Sequence, residues 1–154
     1  MPIVTSEITI AAPVDKVYAI ARNIERFPEF MEDVTSVEIL EQTPERQVSR
    51  WASVIKEFNR TITWTEVDYW DDQAKTCRWE QIEGDFNKYE GTWEFVTQGE
   101  ETLAKLLLDY EYNVPLIGAL IQGLVKKKMQ QNVEAMLAAI KGEAEGAWVR
   151  APVQ

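Results

Sequence analysis

The sequence predicts a single α+β domain in which a curved antiparallel sheet of seven strands wraps around one long C-terminal helix. Apolar and polar residues alternate from residue 34 to residue 112, and beyond Pro115 the apolar spacing changes to the helical period. The 154 residues suffice for one domain with a sizeable core. We expect this domain to span residues 1–141, with residues 142–154 as a flexible tail because the periodicity is lost beyond Gly142.

The first elements are a strand and two short helices. Residues 3–10 alternate and are rich in β-branched side chains, which predicts a strand. Pro13 stands at a position where helices begin, and apolar residues then recur at helical spacing as far as Asn23. A second short helix is predicted over residues 24–31, and Pro28 within it makes one long continuous helix unfavourable.

Six further strands follow, separated by short runs of turn residues. Such short connections favour antiparallel hairpins over crossover helices. The predicted strands cover residues 34–41, 47–58, 61–70, 76–83, 88–97 and 102–112.

The last predicted element is a long amphipathic helix. One stripe of apolar side chains runs from Ile117 to Ile140, and the opposite side carries lysine, glutamine and glutamate. The pattern spans about 25 residues, near 38 Å of helix, which is long enough to cover a sheet. Strands followed by one long helix indicate helices on one face of the sheet.

The charge balance restricts the class of partner. The chain has 26 acidic and 16 basic residues, for a formal net charge of -10. Such a surface repels phosphate backbones, so we expect no nucleic-acid partner. No run of 18 uncharged apolar residues occurs, so we expect no stable insertion into a membrane.

The counts of histidine and cysteine restrict the chemistry. The chain has no histidine, which removes serine–histidine, cysteine–histidine and zinc-protease types of catalysis. We expect no metal site and no cofactor, because carboxylates and one thiol make a poor zinc ligand set and no glycine-rich phosphate loop occurs. The lone Cys77 cannot form an internal disulfide, which favours the cytoplasm.

Three stretches of the chain carry a family resemblance. They are VYAIARNIERFPEFMEDVTSVEIL, GDFNKYEGTWEF and LIQGLVKKKMQQNVEAML. In this order they resemble the START-like helix-grip (SRPBCC) superfamily, and within it the branch of polyketide cyclase/dehydrase and coenzyme Q-binding proteins. The resemblance covers about residues 3 to 140 and implies a deep hydrophobic cavity between the sheet and the last helix.

Strand alternation, together with this resemblance, assigns residues to the cavity. On the strand over residues 61–70, we expect the even-numbered residues to face the helix, since matching positions line the cavity in the cyclase relatives. The two strands that follow residue 87 offer aromatic and leucine side chains on one face. The candidate ligand-binding residues are Phe27, Phe30, Ile62, Trp64, Glu66, Tyr89, Trp93, Leu106, Leu108, Tyr110, Ile121, Leu124 and Val125.

Glu66 and Asp68 are the candidates for chemistry. If both point inward, they lie about 6.5 to 7 Å apart on one strand, and burial would raise the pKa of at least one carboxyl group. One of them would then serve as a general acid or base, or bind a ligand hydroxyl. The alternative is that both are solvated at the cavity mouth, and the closeness of Asp68 to the next turn favours it.

Three functions remain open at the level of sequence. The leading hypothesis is a non-catalytic module that binds a lipid, a quinone or a polyketide-like aromatic molecule. The second is a cyclase or dehydratase; however, the catalytic arginine and tyrosine proposed for the cyclase relatives fall at Asp68 and Val34, so that mechanism does not carry over. The third is a protein-interaction domain similar to the ribosome-directed members of the superfamily.

Overall fold

The computed structural model describes residues 3–55, 59–112 and 119–150, without the side chains of residues 119–121 and 147–150. The chain begins with a strand and three short helical segments, of which the middle one is a single 3₁₀ turn. A run of six strands and one long helix completes it. The elements are β1 (Ile3–Ile10), α1 (Val14–Arg22), the 3₁₀ turn (Ile24–Arg26), α2 (Phe27–Phe30), β2 (Val34–Gln42), β3 (Arg46–Ile55), β4 (Arg60–Asp71), β5 (Thr76–Gly84), β6 (Lys88–Gln98), β7 (Glu101–Glu111) and α3 (Ala119–Arg150).

The seven strands form one antiparallel sheet in the order β1-β7-β6-β5-β4-β3-β2. Only β1 departs from a simple meander, since it pairs with β7 at the far edge. A bulge on β5 places Ile82 outside the ladder, between the pairs Thr65–Glu83 and Glu66–Gln81. Such bulges bend a strand and increase its twist, which contributes to the curvature of the sheet.

The long helix covers one end of the sheet. α3 packs chiefly against β1, β7 and α1. Its residues Val125, Met129, Val133, Leu137 and Ile140 are buried, at the spacing that the amphipathic pattern predicts. The helix therefore does not pack directly against the inner face of the other strands, and a space remains between them.

This architecture confirms the predicted fold class. Every predicted strand is present, and the strand ends that the structure describes agree with the prediction to within one residue. Two predicted ends lie outside the described residues: the end of the third strand at residue 58 and the start of the last helix at residue 117. The second predicted helix is divided into the 3₁₀ turn and α2, with Pro28 at the start of α2.

The predicted end of the last helix is wrong. α3 does not stop near residue 141 but continues to Arg150. Ala144 is buried, and the backbone N–H of Ala11 donates to the Glu145 carboxylate at 2.6 Å. The burial of Ala144 and this hydrogen bond to residue 11 therefore hold α3 in place beyond the point where the apolar stripe ends. The flexibility of residues 142–154 stays a prediction.

Candidate ligand-binding cavity

A cavity of about 610 Å³ lies between the inner face of the sheet and α3. The short helices after β1 close one side of it, through Ile24, Phe27 and Phe30. The walls are mostly apolar and aromatic, as is typical of sites for small apolar ligands.

Most of the predicted site residues line this space. The strand residues do so because alternation directs every second side chain of β4, β6 and β7 to the concave face. Those that line the cavity are Phe27, Phe30, Ile62, Trp64, Glu66, Asp68, Tyr89, Trp93, Leu106 and Leu108.

Three of the remaining predicted residues lie elsewhere. The prediction for Leu124 is wrong, because its side chain is 44% exposed and lies outside the cavity lining. Val125 and Tyr110 are buried but pack in the core away from the cavity. The side chain of Ile121 lies outside the described residues. Compared with the prediction, a different part of the surface of α3 faces the cavity. The residues on it are Met129, Asn132, Val133, Met136 and Ala139.

Glu66 and Asp68 are buried, with 6% and 3% of their surfaces exposed. The expectation that both are solvated at the cavity mouth is therefore wrong. β4 continues to Asp71 and is paired on both sides at these residues, with β3 and with β5. Both carboxyl groups consequently lie under the middle of the sheet and line the cavity.

A chain of hydrogen bonds holds the two carboxyl groups. The indole N–H of Trp64 donates to Oε1 of Glu66 at 2.7 Å. Glu66 is hydrogen-bonded to Asp68, which is also hydrogen-bonded to Ser49. Ser49 Oγ accepts the indole N–H of Trp51 at 2.8 Å. These contacts fix the pair on the inner face of β3 and β4.

Burial shifts the ionisation of these two carboxyl groups to a higher pH than is usual for carboxyl groups. Desolvation, followed by the charge of Asp68, raises the pKa of Glu66 well above its ordinary value. Desolvation also raises the pKa of Asp68, although hydrogen bonds from Glu66 and Ser49 oppose that shift. Burial first, then the charge of Glu66, raises the pKa of the nearby Tyr89 phenol. The two groups therefore titrate as one coupled unit, which loses its first proton at a higher pH than an isolated carboxyl group does.

Three buried polar atoms of the lining have no hydrogen-bond partner among the residues that the structure describes. They are Oδ2 of Asp68, Nε1 of Trp79 and Oδ1 of Asn132. Asp68 and Trp79 are direct partners across β4 and β5, so two of these atoms belong to neighbouring residues. Asn132 belongs to α3, on the opposite wall.

Trp51, Trp79 and Asn132 also line the cavity but were not predicted from the sequence. A signal for Trp79 existed, because in the sequence it lies between the charged residues Arg78 and Glu80, and strand alternation then places its side chain on the opposite, inner face. Asn132 could have been found from its helical spacing to Met129 and Met136 on the same face.

Neither a metal centre nor a membrane span is found in the described parts of the chain. Residues 3–55, 59–112 and 119–150 hold no group of three or more acidic or cysteine side chains placed to bind a metal ion. None of the helices in those ranges combines the length and the apolar character needed to cross a membrane.

Comparison with known proteins identifies the family. The sequence profile described as polyketide cyclase/dehydrase and lipid transport matches residues 10–137. The chain belongs to the polyketide cyclase/dehydrase and lipid transport family. This confirms the resemblance to the START-like helix-grip proteins that the sequence indicated.

Several solved structures resemble the chain over most of its length. The protein TTHA0849 from Thermus thermophilus is 37% identical, with a TM-score of 0.89, and the match covers 95% of this chain and 99% of that one. The Zhui aromatase/cyclase from a Streptomyces species is 24% identical, with a TM-score of 0.85 over 93% of each chain. A STAR-related lipid transfer protein from Xanthomonas axonopodis is 15% identical, with a TM-score of 0.76 over 91% of this chain and 84% of that one. The last two likenesses show the shared fold alone.

Proposed function

We propose that the protein binds a hydrophobic small molecule in the cavity between the sheet and α3. The observation that carries this proposal is the cavity itself, whose volume of about 610 Å³ falls within the range of ligand pockets. A cavity of this size, lined mostly by apolar side chains, has room for a molecule of several fused rings or a long hydrocarbon chain.

The aromatic walls favour a flat ligand. Trp51 and Trp64 stack with their ring centroids 5.8 Å apart and their planes 9° from parallel. Phe86 and Tyr89 stack at 4.3 Å and 17°. Planar surfaces of this kind offer large contact areas to planar molecules. The ligand classes that fit are lipids, quinones and polyketide-like aromatic compounds.

Two considerations from the family and the composition support this proposal. The family description joins cyclases and dehydrases with lipid transport, so binding of an apolar molecule is common to both. We propose a cytoplasmic location, since the chain's one cysteine, Cys77, is buried and unpaired, as is usual in a reducing compartment.

The test is a titration of intrinsic tryptophan fluorescence with a prenylated quinone, a long-chain fatty alcohol and a polycyclic aromatic hydrocarbon. Several tryptophans line the cavity, so occupancy changes the emission. Ala139→Phe adds a ring to the cavity wall and is expected to weaken binding at least about tenfold. Gln131→Phe adds the same ring on the exposed side of α3 and is the matched control. Equal affinities of the two variants, or no binding of any probe, would contradict the proposal.

A second candidate function is dehydration or cyclisation of a polyketide-like substrate, and the buried carboxyl pair favours it. In such a dehydration, a carboxylate removes the proton next to a carbonyl group, and a carboxylic acid protonates the departing hydroxyl, which leaves as water. Glu66 and Asp68 together hold one group of each kind when they share a proton. The third hypothesis, a protein-interaction domain, stays a prediction.

The enzyme hypothesis has its own test. Glu66→Gln is expected to abolish turnover of a poly-ketone substrate while the affinity for that substrate changes little, because the amide keeps the shape but cannot exchange the proton. Unchanged turnover in this variant would rule the mechanism out. If the wild-type protein binds the substrate but does not turn it over, the enzyme hypothesis fails and only the binding function remains.

A further inference from the structure

The ionisable side chains of the described cavity wall are predominantly acidic. The described lining contains Glu32, Asp33, Glu66 and Asp68, but only one basic residue, Lys128. Inside an apolar space, an anionic group without a cationic partner is strongly disfavoured. A ligand whose polar end is a carboxylate or a phosphate therefore fits this wall poorly.

The unpartnered atoms specify what the polar end of a ligand must do. Trp79 is only 5% exposed, and its N–H can only donate a hydrogen bond. Asp68 is the cross-strand partner of Trp79, and its Oδ2 atom can accept a hydrogen bond. A ligand group that contacts both atoms must accept a hydrogen bond from the indole and donate one to the carboxyl oxygen.

Gly91 helps to hold the Trp79 indole in this position. A Cβ atom at Gly91 would lie 2.5 Å from Cη2 of Trp79, so the glycine leaves space for the ring to lie across β6. The indole ring is thus held in place by the fold before any ligand enters.

We propose that the cavity selects apolar molecules that carry a hydroxyl group, and that Asp68 and Trp79 bind this hydroxyl together. The inference deepens the proposed function and rests on it. A hydroxyl both donates and accepts, whereas an ether only accepts and an ammonium group only donates. Asn132, on the opposite wall, offers an acceptor for a second hydroxyl of a longer ligand.

Four pyrene derivatives test this selection at pH 7. They are 1-hydroxypyrene, 1-methoxypyrene, pyrene-1-carboxylate and 1-pyrenemethylammonium, and energy transfer from the tryptophans reports their binding. We expect 1-hydroxypyrene to bind about tenfold more tightly than 1-methoxypyrene, the fold-change for one added hydrogen bond. Pyrene-1-carboxylate is expected to bind most weakly.

Two variants test whether Asp68 and Trp79 cause the preference for the hydroxyl compound. Asp68→Leu is expected to remove the preference for the hydroxyl over the methoxy compound. Trp79→Phe is expected to weaken both compounds relative to unsubstituted pyrene, because both accept from the indole. Gln47→Leu is the control for loss of a buried polar side chain, since Gln47 pairs with Asp68 across β3 and β4 but does not line the cavity.

The possible results separate this inference from the proposed function. Equal affinities for the hydroxyl and methoxy compounds would overturn the selection but leave the binding function standing. Tightest binding of the ammonium compound would replace hydroxyl recognition with ion pairing and also overturn it. Failure of every derivative and of pyrene itself would overturn both. If Gln47→Leu also removes the preference for the hydroxyl compound, the preference does not depend specifically on Asp68, and the assignment of this residue is overturned.

Discussion

Gly91 of β6 is the paired neighbour of Trp79 on β5, and the space where a side chain would begin at Gly91 is occupied by the Trp79 ring. The absence of a side chain at Gly91 also leaves room for the backbone carbonyl oxygen of Leu107 on the neighbouring strand β7. Glycine in a strand interior usually weakens the sheet, so its presence here reflects close packing against an aromatic wall.

The first prediction is that Gly91→Ala destabilises the protein and disturbs the cavity. The new Cβ would clash with Trp79 and with backbone on β7, and we expect a loss of about 1–3 kcal/mol in the free energy of unfolding. Chemical denaturation followed by tryptophan emission measures both the stability and the displacement of the indole.

Gly142→Ala is the control for this prediction. A Cβ at Gly142 meets no atom within 4 Å, and the residue lies inside α3. Alanine there is expected to stabilise the helix by about 0.5–1 kcal/mol. Equal effects of the two substitutions would show that Gly91 does not serve to make room for Trp79.

Strand alternation predicted the inner face of the sheet correctly. Ile62, Trp64, Glu66, Asp68 and Trp70 were assigned to one side of β4, and all five line the cavity. The period of two leaves only two choices for a strand, and the apolar residues decide between them. Family resemblance then identified the chosen face as the cavity side.

The rotation of the helix was harder to predict. The apolar stripe of α3 is wide enough to include residues that pack on β1 and residues that face the cavity, and periodicity does not separate these two groups. Leu124 belongs to the stripe but is exposed, whereas its neighbour Val125 is 2% exposed. The burial of Glu66 and Asp68 was also missed, because proximity in sequence to a turn does not reveal how far a strand stays paired.

The second prediction concerns this rotation of α3. Leu124→Ser is expected to change the free energy of unfolding by no more than about 0.5 kcal/mol, since the side chain is already exposed. Val125→Ala removes two buried methyl groups and is expected to cost about 1–2 kcal/mol. Thermal unfolding of the two variants measures the difference. A larger loss for Leu124→Ser than for Val125→Ala would contradict the observed rotation.

The third prediction concerns the last turns of α3. Hydrogen bonds from the Ala11 backbone N–H, then from Lys141, lower the pKa of Glu145. A lowered pKa contributes stability above the ordinary value of 4.5, and this contribution is lost as the pH falls through the folded-state pKa. Glu145→Gln is expected to cost about 0.5 kcal/mol at pH 7, because the contact is partly exposed.

Thermal unfolding at several pH values checks this contact. The difference between Glu145→Gln and the wild-type protein should shrink as the pH falls below 4.5 and disappear in strong acid. A difference that is independent of pH would show that the carboxylate does not anchor the helix to residue 11.

The final prediction concerns the pH dependence imposed by the carboxyl pair. Burial raises the pKa of Glu66 in the folded state, whereas the unfolded chain ionises near the ordinary value of 4.5. The folded state therefore binds more protons than the unfolded state once the pH exceeds 4.5, and stability falls as the pH rises toward the folded-state pKa. Asp68 acts in the same direction, since its pKa is also raised.

Glu66→Gln removes the ionisable group that contributes most to this effect. The variant is expected to gain stability relative to the wild-type protein above about pH 4.5, with the gain increasing as the pH rises toward the folded-state pKa of Glu66, because the amide has no proton to retain. It can still accept the Trp64 N–H, so the indole contact is kept. Urea denaturation across this pH range measures the gain, with Glu80→Gln on the exposed face of β5 as the control. A constant difference between variant and wild type would mean that Glu66 ionises in the folded protein as it does in water, and that the pair does not hold a proton inside the cavity.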